Sequence, residues 1–396
     1  MKILQVNTIC KSGSTGKIAY DLHTWFQEMG HDSVVAYGRG RKIADTFAYR
    51  FSPSWEVFAH VALTRLTGWT GCFSPIATKR LLQFIDRFAP DIVHLHNIHG
   101  YYVDAFRLLS FLNSAGIRTV ITLHDEWLYT GKCGHAYECL NWLHECMKCP
   151  RLRAYPSSLV FDATTLMHNK KKHIFDNFDN LVLVTPSEWL ASRVKRSFLA
   201  DKRITVIQNG IDTCIFYPRD ANDLRVKYGN NKAVLYVTAD FDDPLKGGRY
   251  VVELAKQMPD VSFYVVGNKK AIPRLAKNIF AVGRIENQHE LAEWYSFADC
   301  SLITSERENF PTVCIESLCC GTPVVGFDVG GTAETAPKKF GAFTPYADMS
   351  ALISSVRDVF SGMLCSKEAC SSFGMQKYAK DVMAVQYMNL YRNIIV

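Results

Sequence analysis

Two glutamates eight positions apart, Glu308 and Glu316, flank Asn309-Phe310-Pro311-Thr312-Val313-Cys314-Ile315, just after the apolar run Cys300–Thr304. Pro311 suits the first turn of a helix, so the spacing predicts a loop carboxylate at Glu308 and a second carboxylate in the helix at Glu316. Carboxylates accept paired hydrogen bonds from neighbouring hydroxyls, and the helix N-terminus between them faces an anion. That pairing suits a sugar or ribose joined to phosphate; two solvated acids flanking a helix is the competing reading. Upstream, His124 and Asp125 leave the run Thr119–His124, while His94 and His96 lie in Asp91–His96. His94 and His96 share one strand face and match no helical zinc spacing. His124 with Asp125 therefore reads as a substrate-facing polar group, against a structural His satisfied by backbone carbonyls. Near the start, Lys11-Ser12-Gly13-Ser14-Thr15-Gly16-Lys17 leads into a helix predicted from about Ile18. Gly13 and Gly16 allow an anion close to the backbone. This is not a P-loop, which needs Gly where Lys11 stands and Ser or Thr where Ile18 stands.

These residues need elements to hold them. Short β-branched runs alternate with helix-length amphipathic segments: Ile3–Asn7, Ser33–Tyr37, Asp91–His96, Thr119–His124, Leu181–Thr185 and Ile204–Asn209, then Ala233–Thr238, Ser262–Gly267, Ile279–Val282, Cys300–Thr304 and Pro323–Phe327. Strands apolar on both faces and separated by helices predict parallel sheets covered on both sides. Two such series in 396 residues predict an α/β protein of two doubly wound domains. The turn Asn209-Gly210-Ile211-Asp212 and the following Pro218 mark the boundary, giving domains 1–212 and 213–378 and a C-terminal helix over 379–396 that can return to the first domain.

Composition excludes several classes. With 48% hydrophobic and 21% charged residues the chain is neither disordered nor low-complexity. Its net charge of +7 permits phosphates or an anionic surface but is too dispersed for nucleic acid. No secretory signal is visible, and no run reaches the roughly 18 apolar residues of a spanning helix. Thirteen cysteines, with Cys319 and Cys320 adjacent, argue against a secreted disulfide framework; the expected compartment is the cytoplasm. Cys133, Cys139, Cys146 and Cys149 end in a C-x2-C and could hold a structural zinc. A metal-free thiol cluster and a redox disulfide are the alternatives.

Taken in order, these landmarks resemble the retaining, nucleotide-sugar-dependent glycosyltransferases of family four, with the GT-B fold. Glu308 and Glu316 match that family's E-x7-E pattern. Gly13–Gly16, Gly30-His31, Pro90–His94, His124-Asp125, Asn209–Asp212 with Phe216 and Pro218, Lys246-Gly247, Gly321–Val325 and Gly330-Gly331 follow in the family's order. The segment from Thr130-Gly131-Lys132-Cys133 to Cys149-Pro150 looks like bacterial enzymes of exopolysaccharide and O-antigen assembly, the colanic-acid type among them.

The resemblance implies two Rossmann-like domains facing a cleft, the second holding a nucleoside diphosphate sugar and the first a saccharide acceptor, polyprenyl-linked in such pathways. It implies hexosyl or N-acetylhexosaminyl transfer with retained configuration and no catalytic metal. Lys246 matches the phosphate-binding Lys, Glu316 the ribose-binding acid and Glu308 the acid on the donor sugar. The Phe310, Thr312 and Val313 amides fall at the phosphates, Gly16 near the diphosphate and His124 beside the reacting sugar. One departure stands out: Asp240 and Phe241 occupy positions where the family usually has Arg; either Arg249 or Arg284 substitutes, or the substrate class differs. A sugar-nucleotide epimerase of the same fold and a non-catalytic partner subunit are the competing functions. Finally, Phe58, Val61, Ala62, Leu66 and Trp69 follow the spacing of one helix face interrupted by Arg65. Such a face either lies on the inner membrane's cytoplasmic surface or packs on the first domain's sheet.

Overall fold

The computed structural model describes residues 1–267 and 276–395. The chain folds as two units, Met1–Gln208 with Ala384–Val396, and Asn209–Met383. In the first, strands β1 (Lys2–Asn7), β2 (Asp32–Tyr37), β3 (Ala48–Arg50), β4 (Ile92–Leu95), β5 (Thr119–Thr122), β6 (Leu181–Thr185) and β7 (Arg203–Val206) form one sheet in the order β3-β2-β1-β4-β5-β6-β7. In the second, β8 (Ala233–Val237), β9 (Ser262–Val266), β10 (Ile279–Gly283), β11 (Cys300–Ile303), β12 (Val324–Phe327) and β13 (Gly341–Thr344) run in the order β10-β9-β8-β11-β12-β13. Every pairing is parallel.

Side-chain alternation explains why both faces are covered. In the second unit Leu235, Tyr264, Ile303 and Val324 join the core on one face. Their neighbours Val234, Phe263, Leu302 and Val325 join a separate core on the other. A strand apolar at every position needs a layer on each side. The runs expected from the sequence all appear, their ends shifted by at most three residues. Two strands were not expected. β3 is a three-residue edge strand of half-buried residues, and β13 is a Gly-Ala-Phe-Thr edge strand without a β-branched run.

Two details correct the sequence reading. The first helix spans Gly13–Glu28, with Ser12 as its N-cap, rather than starting near Ile18. Gly16 is thus a buried first-turn residue, where a Cβ would come 3.1 Å from the Ile9 carbonyl oxygen. The chain also leaves the first unit at Gln208, four residues earlier than expected. Residues 209–212 are tied to the second unit because Ile211 donates to Tyr378 at 2.8 Å and accepts from Lys380 at 2.8 Å. Lys380 Nζ meets Asp212 Oδ2 at 2.7 Å. The last helix, Lys380–Ile395, then carries its remaining turns into the first unit.

Candidate functional site

In an open parallel sheet, ligands bind beyond the strand carboxyl ends where the strand order reverses. The second unit reverses between β8 and β11, and the loops leaving those strands carry Lys246 and Glu308. Their side chains meet, Lys246 Nζ to Glu308 Oε1 at 2.7 Å, with Glu308 about one-fifth exposed. The carboxylate holds the ammonium above its ordinary range. Backbone bonding builds this contact. Glu306 N–H donates to the Leu245 carbonyl at 2.8 Å. The Thr304 hydroxyl, at the end of β11, donates to the carbonyls of Lys246 and Gly247 at 3.2 and 3.0 Å. Tyr236 of β8 donates to the Lys246 carbonyl at 2.5 Å. Neither Tyr236 nor Thr304 was singled out from the sequence; both sit in apolar runs, where only the fold shows what a hydroxyl reaches.

A third loop closes on Glu308. Gly330 has φ +62°, and a Cβ there would lie 1.8 Å from the Glu308 carbonyl oxygen, while Gly331 N–H donates to that oxygen at 3.0 Å. Glycine at 330 is thus required both by conformation and by space. Beyond this loop the helix Thr312–Cys319 begins, with Pro311 at its N-cap. The Thr312 and Val313 amides point out of its first turn without intrahelical acceptors, as first-turn amides must. Phe310 is a buried residue whose carbonyl accepts from Asn209 Nδ2 at 3.3 Å and whose ring packs near Tyr378. Glu316 is buried in the second turn, and the Tyr295 hydroxyl donates to its Oε2 at 3.0 Å. This end of the sheet therefore presents one ammonium, two carboxylates and a helix N-terminus, a set able to bind phosphate and hydroxyls together.

Phe241 belongs to the core, edge-on to Tyr236. It also borders an open recess of about 680 Å³ with Asp242, Gly247 and Arg249. Arg249 Nη2 donates to the Tyr250 and Tyr346 hydroxyls at 2.9 and 3.3 Å, and Arg284 pairs with Glu286 at 3.5 Å.

The first unit reverses between β1 and β4. There His124 Nε2 lies 3.0 Å from His96 Nδ1, and His96 Nε2 lies 3.0 Å from Gln5 Oε1. With Gln5 accepting, His96 carries its proton on Nε2, and His124 donates from Nε2. Burial keeps His124 neutral, its imidazole lowered to about 4. Asp125 accepts from Trp127 N–H at 2.9 Å and meets His99 Nε2 at 2.9 Å. Burial raises its carboxyl to about 7. His96, His99, His124 and Asp125 line one small recess. His94 does not face it. Its ring nitrogens bond the Thr122 hydroxyl at 2.7 Å and the Tyr391 hydroxyl at 2.6 Å, so the last helix fixes it in the core. Gln5 and His99 escaped the sequence reading, and His96 was weighed there only as a metal ligand, because their partners lie on other strands and loops.

The cysteine cluster is not assembled as a four-thiol metal set: among the described residues no three His, Cys, Asp or Glu side chains come together as a metal site. Cys133 and Cys149, both free thiols, share a hydrogen bond that holds the Cys149 thiol below its ordinary range. Cys146 Sγ accepts from Gly131 N–H at 3.1 Å. A different core organises the segment. Trp142 is fully buried, T-shaped against Tyr129, with the Arg193 guanidinium 4.5 Å from its ring centre. Arg193 also pairs with buried Glu126 at 2.6 Å.

Two parallel, doubly wound Rossmann-like units of seven and six strands are the GT-B glycosyltransferase architecture. The family model described as Glycosyltransferase Family 4 matches residues 15–214, and that described as Glycosyl transferases group 1 matches residues 225–361. The chain belongs to Glycosyltransferase Family 4. It is 25% identical to WcaC of Escherichia coli (strain K12), which its name assigns to colanic acid biosynthesis as a glycosyl transferase, over 100% of both chains. Among solved structures, sucrose-phosphate synthase from Thermosynechococcus elongatus superposes with a TM-score of 0.74 at 18% identity, covering 99% of this chain and 98% of that one. Anabaena Alr3699/HepE, solved in complex with UDP, gives 0.67 at 17% identity, covering 99% and 100%.

Proposed function

We propose that this glycosyltransferase moves a hexosyl or N-acetylhexosaminyl group from a nucleoside diphosphate sugar to a polyprenyl-linked saccharide, with retention, in exopolysaccharide or O-antigen assembly. The observation that carries the reading is the Lys246–Glu308 contact at the β8/β11 switch point, beside the N-terminus of Thr312–Cys319. Breaking a sugar–phosphate bond leaves negative charge on the departing diphosphate, and preorganised cations and amides lower that barrier most. An ammonium has three donors, so Lys246 can hold Glu308 and a phosphate oxygen together. Glu308 then addresses the sugar hydroxyls and Glu316, steadied by Tyr295, the ribose. His124, kept neutral and oriented through His96 and Gln5, serves a hydroxyl of the reacting sugar. Gly16 lies by the diphosphate in this reading. The full-length similarity to WcaC supports the polysaccharide setting. A UDP-linked donor is supported by HepE, whose structures include complexes with UDP and UDP-glucose. Association with the inner membrane's cytoplasmic face belongs to the same reading; no described helix is long and apolar enough to cross a membrane.

The test offers a panel of nucleotide sugars with and without polyprenyl diphosphate saccharides, reading products by NMR. The reading expects an acceptor-dependent product with the donor's anomeric configuration, lost in Glu308→Gln. Inverted linkage refutes retention. An acceptor-independent sugar product points to an epimerase, and absence of nucleotide binding points to a partner subunit.

A further inference from the structure

The helix Ser54–Thr67 is inverted. Its inward face carries Glu56, Val57, His60 and Thr64, all buried. Its outward face carries Trp55, Phe58 and Leu66, at 61%, 74% and 53% exposure. Val61 alone of the expected apolar face packs against the core; Phe58, Ala62, Leu66 and Trp69 are exposed. The expectation that this stripe packs on the sheet therefore fails, and the reason is local. The neighbouring helix Pro75–Phe88 has no side-chain cap from its own N-cap, Ser74. Glu56 supplies it, accepting from Ile76 and Ala77 N–H at 2.7 and 2.8 Å, and His60 Nδ1 bonds the Ser74 hydroxyl at 2.8 Å. Orphan helix-start amides demand a buried acceptor, so the polar side turns inward and the aromatic side is left outside.

A second segment extends this surface. Leu159, Val160 and Phe161 are each more than half exposed. Leu159 N–H donates to the Arg65 carbonyl at 2.7 Å. The helix ends at Gly68, with φ +75° and no room for a Cβ, which would lie 2.6 Å from the Phe161 carbonyl oxygen. Loop and helix end are thus locked together as one apolar face.

Charge selects the occupant. Glu56 is the only acid between Arg50 and Ile85, and Cys146–Phe161 contains none. The same stretches hold Arg50, Arg65, Lys79, Arg80, Lys148, Arg151 and Arg153, and Lys170 Nζ lies 5.5 Å from the centre of the Trp69 ring. A second copy meeting this face across a two-fold axis would set basic residues against basic residues without acids to answer them. Anionic headgroups answer them directly, and aromatic side chains beside basic ones suit the headgroup layer. We propose that the outward face of Ser54–Thr67, with Leu159–Phe161, docks the first unit on an anionic lipid bilayer. The proposal deepens the lipid-linked acceptor reading and rests on it for its purpose, though not for its geometry.

The test is co-sedimentation with vesicles of phosphatidylcholine alone and with about a third phosphatidylglycerol, at about 0.1 and about 0.5 M salt. Wild type should bind the anionic vesicles, lose several-fold of that binding in the higher salt, and show tryptophan quenching by brominated lipid. Phe58→Glu with Leu66→Glu should reduce the bound fraction at least tenfold with an unchanged melting temperature. Phe58→Ser alone, a milder change at the most exposed of these residues, should reduce it in the same sense. Wild type left in the supernatant, a folded double variant that still sediments, or a wild-type dimer that the double variant dissociates would each overturn the proposal. UDP binding, followed by thermal shift on both proteins, separates the two readings: its loss in both sinks the transferase reading and leaves the vesicle result standing.

Discussion

Lowering the pH from 7 to 6 should destabilise the first unit and spare the second. His23, His60, His94, His96 and His99 are at most 3% exposed there. Burial lowers the imidazole of His23 to about 4, those of His60, His94 and His99 to about 3, and that of His96 well below the ordinary value. The second unit contains one histidine, His289. Because these folded-state values lie below the unfolded value of about 6.5, the unfolded chain takes up protons first. The stability they contribute is complete above that value and is lost as the pH falls toward 4. From pH 7 to pH 6 each group costs about 0.7 kcal/mol, or about 3.5 kcal/mol for the five. Asp125 opposes them. Its raised value near 7 makes the folded state bind a proton first over this interval, returning about 1 kcal/mol. Over these six groups the net loss is about 2.5 kcal/mol, and His124, its imidazole also lowered to about 4, adds to it in the same sense; together they are a large part of the 5–15 kcal/mol that holds a typical domain. Hydrogen exchange in urea at both pH values, read separately over 1–208 and 209–383 and corrected for intrinsic rates, measures it. His60→Gln removes one titrating group and should lower the pH dependence by about 0.7 kcal/mol. A first unit indifferent to pH, or two units weakening alike, would refute the reasoning.

Two further outcomes concern the second unit. Lys246→Ala should weaken nucleoside diphosphate binding tenfold to a hundredfold, as expected for losing a charge-assisted bond of roughly 1.5–3 kcal/mol, and leave nucleoside binding nearly unchanged; equal effects in calorimetry would place the ammonium elsewhere. Gly330→Ala should cost at least the roughly 1–2 kcal/mol of a left-handed non-glycine residue and displace the Glu308 loop, so turnover should fall even where the protein stays folded. A fully active variant with an unchanged melting temperature would show that the loop tolerates the Cβ.

The strands and their parallel pairing were legible because burial on both faces writes itself locally, as in Leu181–Thr185 and Ala233–Val237. Glu308 and Glu316 were legible because their spacing straddles a helix start. What no local pattern could reveal was the company these residues keep. Lys246 and Glu308 are 62 positions apart and meet because β8 and β11 are paired in register. His94 is drawn into the core by Tyr391, 297 positions away, and the loop of Glu308 is shaped by a glycine on another strand's exit. The cysteine spacing was legible, but the packing of Trp142 on Tyr129 and Arg193 beside those thiols was not. The helix Ser54–Thr67 shows the division most plainly. Its amphipathic spacing was present in the sequence, but which side faces inward depended on the uncapped amides of the next helix. Periodicity determines that a helix has two faces; only the polarity of what it meets in three dimensions decides which one is buried.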